Sequence, residues 1–292
     1  MHIKTSKDIM LYFESKVNDN SKTIVLELLE SNILEIGYKS FIDLAQIYFY
    51  KMLTPIKISD DTLHLTFQKL NQSNSFHKSD NTSDEKYGVE SEFFAIEKGS
   101  KFSFLYHYRQ ALNLVKLKTK SKILNLGINK GDEFKIIKDI LDSENFNSKK
   151  LVGIDYSQTA IKYANESFND TNISFISHDI NNLDNLNLGK FDLIITIGTL
   201  QSVNIDFKKT FMNLIQNYLE INGAIVMGFP NCRWIDGEMV YGATVPNYNF
   251  SEMSRVIKDI YFCKKYLQQK KYRVTITGKD YLFLVATKFG ID

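Results

Sequence analysis

The chain has 292 residues, 43% of them hydrophobic and 24% charged, with a formal net charge of +2. This suits one large domain, or a core domain with an appendage, and excludes wholesale disorder and fibrous repeats. Three prolines exclude a proline-rich scaffold, and so small a charge does not by itself announce a nucleic-acid or membrane partner.

The two cysteines, Cys232 and Cys263, allow neither a disulfide framework nor a paired-cysteine zinc site, which suits a reducing cytosol. The first twenty residues lack the uninterrupted apolar segment of a secretory signal, and no stretch of about 18 apolar residues occurs. The expectation is a soluble, cytoplasmic protein without a membrane partner. Its oligomeric state is left open.

In chain order, residues 1–53 read as helices. Apolar positions in Thr23–Glu35 and in the run from Phe41 to Met52 follow helical spacing, with Gly37 breaking the two and Pro55 stopping the second. Thr62–Leu70 alternates Leu63, Leu65 and Phe67 with polar partners, a strand pattern. Residues 71–86 hold a single apolar side chain, Phe76, and read as a loop. Helical pattern returns at Glu90–Ala95 and at Phe102–Leu117. Residues 1–100 are therefore expected to form a mainly helical cap or substrate region, and 101–292 a second domain.

From Lys122 the pattern changes. Apolar runs at 123–127, 151–155, 173–177, 191–198 and 224–229 alternate with helix-length segments, the pattern of a parallel sheet with crossover helices. Tyr272–Thr277 and Tyr281–Thr287 are separated by three residues, too few for a crossover, so they form a hairpin. The fold class expected is α/β: a Rossmann-like, mostly parallel sheet with a C-terminal antiparallel hairpin strand and a mainly helical N-terminal extension.

Charge is uneven. Residues 1–100 hold 11 Lys/Arg and 15 Asp/Glu, a net −4, which leaves +6 on the remainder. Lys101, Arg109, Lys116, Lys118, Lys120 and Lys122 share a span without acids, and a second basic span runs from Arg255 to Lys279. Solvated helix faces explain both spans; a polyanion-binding surface is the alternative.

The first run ends in Asn125-Leu-Gly127-Ile-Asn129-Lys-Gly131-Asp132, a turn whose glycines permit tight bending and close backbone approach to a ligand. Asp155 ends the second run, where a carboxylate can accept from both hydroxyls of a ribose. Asp179 follows the third, where it can accept from an exocyclic amine. Each aspartate read alone is equally a turn former or helix cap. Together they lie along one edge of the sheet, near the switch point where open α/β sheets bind ligands.

Over about Lys122–Lys288 the sequence resembles the class I S-adenosylmethionine-dependent methyltransferases. The family's motif of an acid followed by three alternating glycines matches 125–131, with Asn125 in place of the acid and Asn129 in place of the middle glycine. The resemblance implies S-adenosylmethionine as cofactor. It places Asp155 and Tyr156 at the ribose, Asp179 and Ile180 at the adenine, and Ile197 and Gly198 in the segment lining the cofactor, with Arg109 pairing the cofactor carboxylate. Most of the remaining aromatic helix face, with Tyr106, His107 and Tyr108, reads as core.

A nicotinamide-dependent dehydrogenase shares the turn and the ribose acid. The Asn129 side chain would obstruct a pyrophosphate there, and Asp132 would set a negative charge beside it.

Acceptor contacts are expected after the fourth and fifth runs, from Gln201 and Ser202 and from the presumed loop holding Asn231, Arg233, Trp234, Asp236, Glu238 and Tyr241, with the N-terminal segment as a lid. A salt-bridged structural loop is the alternative for the latter. No catalytic base is assigned. The histidines are scattered, and no metal site is expected. The acceptor expected is a small molecule or metabolite; the alternatives are tRNA or rRNA, and a non-catalytic protein that retains the fold.

Overall fold

In the computed structural model, residues 5–73, 88–91, 94–243 and 251–290 are described. The chain divides into two compact units, Met1–Ser79 with Trp234–Val240, and Asp80–Arg233 with Tyr241–Asp292.

The first unit contains α1 (Ser6–Asn18), β1 (Thr23–Leu29), α2 (Glu30–Ile36), α3 (Tyr38–Ile47), β2 (Tyr50–Met52), β3 (Ile56–Lys57) and β4 (Thr62–Lys69). Thr5 caps α1 reciprocally with Asp8. The helix expected over Thr23–Glu35 begins instead as a strand. Ile24, Leu26 and Leu28 are buried in strict alternation and pair antiparallel with β4, so a period of two overrides the looser helical spacing. The second helix ends at Ile47 rather than at Pro55. Phe49 turns the chain with φ 61°, and Tyr50–Met52 joins the sheet. Phe13 is fully buried, edge-on to Phe67 and Tyr50 at ring separations of 5.1 and 5.4 Å. Of the loop expected at 71–86, residues 74–86 lie outside the described residues.

The second unit opens with turns at 88–91 and 94–95, not the helix expected at Glu90–Ala95; residues 92–93 lie outside the described residues. A short 3-10 turn, Lys98–Ser100, leads into α4 (Phe102–Leu114). There follow β5 (Lys122–Leu126), α5 (Asp132–Ile140), α6 (Ser143–Asn147), β6 (Lys150–Asp155), α7 (Gln158–Ser167), β7 (Ile173–Ser177), β8 (Phe191–Ile197), α8 (Phe207–Asn213) and β9 (Leu219–Pro230). After β9 come β10 (Cys232–Ile235) and β11 (Glu238–Tyr241), whose residues 234–240 belong to the first unit, and then α9 (Ser254–Gln269), β12 (Tyr272–Gly278) and β13 (Tyr281–Lys288).

The large sheet has the order β12-β13-β9-β8-β5-β6-β7. Strands β9, β8, β5, β6 and β7 are parallel, while β13 runs antiparallel between β9 and β12. The central strands read as continuous apolar runs because both faces are covered. Helices α8 and α9 cover one face, where Phe211, Cys263 and Leu267 join a core with Leu124, Leu126 and Leu284. Helix α4 covers the other, with Phe104 and Tyr108 against Phe283. The chain builds β5, β6 and β7 outward on one side, then returns to place β8 on the far side of β5. That reversal sets the switch point at the carboxyl ends of β5 and β8, where side chains from several loops converge.

Candidate active site

The turn after β5 is shaped by three left-handed residues at alternate positions: Gly127 (φ 72°), Asn129 (φ 46°) and Gly131 (φ 94°). The spacing of the sequence motif is thus the spacing of the positive φ angles. Asparagine is among the few side-chain-bearing residues that tolerate this region, so Asn129 replaces glycine without altering the loop. Protein atoms crowd the two glycines. A Cβ on Gly127 would lie 2.0 Å from Thr199 Oγ1, and one on Gly131 would lie 2.6 Å from the Phe168 ring. Thr199 in turn donates to the Leu126 carbonyl at 2.9 Å, tying the tip of β8 to the loop.

Asp155 sits at the tip of β6 and is 7% exposed. Its carboxylate accepts from the Asn129 N–H at 2.8 Å and the Ser157 N–H at 3.1 Å. Burial raises its pKa above the ordinary carboxylate value; the backbone donors at Ser157, Asn129 and Tyr156 and the charge of Lys98 offset part of that. A carboxylate has about four lone-pair positions, so beside these three backbone donors one remains for a ligand hydroxyl. Tyr156 is half exposed beside it, and Ser157 caps α7 through the Ala160 N–H.

Asp179 caps the turn at Ile180–Leu186, accepting from the Asn181 N–H at 2.9 Å and from the side-chain amides of Asn181 and Asn182, each at 3.0 Å. Ile180 is buried beside it. Ile197 is buried at the end of β8, and the Gly198 N–H binds the Gly228 carbonyl at 2.8 Å. Asn125 is 1% exposed within β5, and its Nδ2 has no hydrogen-bond partner. Strand alternation turns Asn125 away from the Leu124–Leu126 face and toward the face that α4 covers.

Arg109 stands on the exposed side of α4, opposite buried Phe104, Tyr108 and Leu112. A buried cation that the sequence reading missed, Lys98, meets the helix that follows the glycine loop. Its Nζ lies 2.6 Å from Oε1 of Glu133, in the first turn of α5, with side chains 11% and 1% exposed. Burial alone would lower the Lys98 pKa; Glu133, Asp132 and Tyr281 overcome that and raise it above the ordinary lysine range. Lys130, inside the loop, donates to the Phe94 carbonyl at 2.9 Å and to Glu97 at 2.6 Å. The segment before α4 is thereby fastened to the loop. Glu133 is the second residue of the helix after the motif, and neither it nor Lys98 carries a periodic signal in the sequence.

The stretch after β9, expected as a loop, is a hairpin. Asp236 (φ 51°) and Gly237 (φ 75°) form its turn, the Asp-Gly pair that favours two left-handed residues. Asn231 is buried, receiving the Gly242 N–H at its carbonyl and donating Nδ2 to the Lys279 carbonyl at 3.1 Å, while its Oδ1 has no partner. Gln201 Oε1, after β8, is likewise buried without a partner. Arg233 is partly buried, which holds its guanidinium pKa below the ordinary value, and Tyr241 is half exposed. Cys232 and Cys263 are free and buried, and burial pushes the Cys232 thiol up to about 12, so neither is a ready nucleophile. Among the described residues, no three His, Cys, Asp or Glu side chains gather to hold a metal, and no helix is long and apolar enough to cross a membrane.

The strand order, with an antiparallel strand inserted beside the fifth parallel one and an acid facing the first loop from the next strand, defines the class I methyltransferase fold. A family model described as a methyltransferase domain matches residues 117–276, more than half of the chain. The chain belongs to this family, the S-adenosylmethionine-dependent methyltransferases its sequence resembles. Among solved structures it is similar to the plantazolicin methyltransferase BpumL in complex with SAH, at 15% identity and TM-score 0.50, covering 70% of this chain and 93% of that one. It is also similar to a putative caffeoyl-CoA O-methyltransferase from Staphylococcus aureus, at 15% identity and TM-score 0.42, covering 62% of this chain and 83% of that one. No curated protein matched the chain. Identities this low speak to fold alone.

Proposed function

We propose that the protein transfers a methyl group from S-adenosylmethionine to a small-molecule acceptor in the cytoplasm. The observation that carries the cofactor assignment is Asp155, a buried carboxylate held by backbone N–H groups at the switch point with an acceptor position to spare. In this reading Asp155 takes a ribose hydroxyl, and Asp179 and Ile180 border the adenine. Gly127, Asn129 and Gly131 shape the loop beneath, with Tyr156, Ile197 and Gly198 lining the crevice. The orphaned Asn125 amide points to a polar ligand group near the loop, since buried amide hydrogens rarely go unmatched.

S-adenosylmethionine, when bound, supplies a methyl group already activated by its sulfonium charge. The chain's own task is to align the acceptor in line with that carbon and to exclude water. Gln201 Oε1 and Asn231 Oδ1 stand after adjacent strands as buried acceptors without donors. They suit an acceptor that presents O–H or N–H groups, with its nucleophilic lone pair turned to the methyl carbon. Arg233 and Tyr241 are assigned to the same acceptor region. The near-neutral net charge supports a small acceptor over a nucleic acid.

One observation favours an RNA acceptor as a second reading. Lys208, Arg255 and Lys258 line a cavity of about 440 Å³ together with Asp206, Phe207, Ser254 and Asp259. None of the three cations makes an ion pair within 4.0 Å among the described residues.

Transfer of labelled methyl groups into fractionated metabolite and RNA extracts tests the assignment. Label in the small-molecule fraction is expected, and label in RNA alone would select the second reading. Absence of S-adenosylmethionine binding at millimolar concentration by calorimetry would overturn both.

A further inference from the structure

We propose that the free edge of β1 joins two copies of this chain, strand to strand and antiparallel, in a two-fold dimer. The inference concerns the first unit and stands apart from the methyl-transfer reading.

In the first unit β4 is central, with β1 on one side and β2 and β3 on the other. The Lys69 N–H donates to the Lys22 carbonyl at 2.9 Å and the Glu30 N–H to the Asp61 carbonyl at 2.7 Å, one at each end of the β1–β4 ladder. Hydrogen-bonded pairs in an antiparallel ladder recur at every second residue, so Ile24, Leu26 and Leu28 are the residues bonded to β4. The N–H and C=O groups of Thr23, Val25, Glu27 and Leu29 therefore point away from it. All four residues are exposed, and among the described residues no other backbone group bonds to theirs.

The two edges of this sheet are built differently. The far edge is cut into pieces of three and two residues, β2 and β3, which carry Lys51 and Lys57 and have Pro55 between them. Short strands, lysine and proline are the usual guards against strand addition. β1 has none of them. It runs seven residues in unbroken register and leaves Val25 and Leu29 43% and 46% exposed. Its single charge, Glu27, meets His64 at 3.1 Å.

The strand that fits this edge is a second β1. With the two-fold axis at Leu26, Thr23 faces Leu29 of the second copy and Val25 faces its Glu27, so all four outward residues of each strand exchange N–H···O=C bonds. The same register sets Lys22 across from Glu30 of the second copy at both ends, a complementary pair of charges. Moving the axis to Glu27 would place two carboxylates face to face. Moving it to Val25 would set Leu29 against Ser21, whose N–H is already bound to the Lys16 carbonyl. The contact is isologous, so it closes at two copies and merges two four-stranded sheets into one.

Sedimentation of the full chain tests this. At about 100 μM a species of twice 33.8 kDa is expected, dissociating on dilution. Val25→Pro removes an outward N–H without costing β4 a bond, so it should be monomeric with an unchanged circular dichroism spectrum. Two further variants check the register without proline. Position 25 faces Glu27 of the other copy, so Val25→Glu should weaken the dimer and Val25→Lys should not. The two should differ by roughly 3- to 30-fold in dissociation constant, the scale of two cross-strand pairs. Amide exchange supplies the pattern: the Val25 and Glu27 amides should gain protection only in the dimer, whereas Ile24, Leu26 and Leu28 keep theirs at any concentration.

A monomer at the highest concentration overturns the proposal and leaves the edge to a strand from another protein. Equal effects of Val25→Glu and Val25→Lys overturn it as well. So does a dimer in which the Val25 and Glu27 amides exchange as they do in the monomer, which places the interface elsewhere.

Discussion

The two ends of the β5 loop are held by different means. At the proposed ribose end, Asp155 is gripped by backbone N–H groups, so its position depends on main-chain geometry and hardly on neighbouring side chains. Toward the other end, Asn125 is neutral, and a buried ion pair, Lys98 with Glu133, joins helical elements that precede and follow the strand in the chain. A site fixed by backbone keeps its sequence signature. A contact fixed by a side-chain pair carries no such signature.

The largest effect expected is from Glu133→Ala, which strands the Lys98 ammonium in a buried site. A loss of about 3–5 kcal/mol in stability by denaturant unfolding is expected; a loss under about 1 kcal/mol would show the pair to be solvated and break the contrast. Asp155→Ala comes next. A charge-assisted hydrogen bond to the ribose is removed, so S-adenosylhomocysteine affinity should fall by about 10- to 100-fold in calorimetry, and that of 5′-methylthioadenosine with it. Unchanged methylthioadenosine affinity would move the adenosine elsewhere.

Acidity separates the ends. The folded pKa of Asp155 lies above its ordinary 3.8. As pH falls through that raised value the acceptor becomes protonated, so methylthioadenosine binding should fail at higher pH than an ordinary aspartate would dictate. The Lys98 pKa is raised. Its stabilising contribution is therefore complete below the unfolded value of about 10.4 and is lost as pH climbs through the folded one. Fluorescence-monitored unfolding at pH 9 and 11 should register the onset of that loss in the wild type and much less of it in Lys98→Met.

Smaller still, Ser157→Ala removes the α7 cap and should cost about 1 kcal/mol.

The sheet was legible because buried parallel strands leave continuous apolar runs, and 123–127, 151–155, 173–177, 191–198 and 224–229 each fall on a strand. Thr23–Leu29 was misread because Val25 and Leu29 are exposed apolar residues that blur a two-residue period into a helical one. The 232–241 hairpin was announced by Asp236-Gly237 but hidden among polar residues that suggested a binding loop. Lys98 was invisible for another reason. An ion pair between residues 35 apart leaves no periodicity, and Arg109 drew attention by lying on a recognisable helix.

The first unit is discontinuous along the chain. Ile235 and Val240 form a small apolar cluster with Leu70, the Asn71 N–H binds Asp236 at 3.2 Å, and Gln46 donates to the Met239 carbonyl at 3.2 Å. A ribosome therefore delivers most of this unit more than 150 residues before its last piece. Until residue 240 has been synthesised, Leu70 lacks its native cover, and a nascent chain stalled or cleaved before that point is a natural client for chaperones.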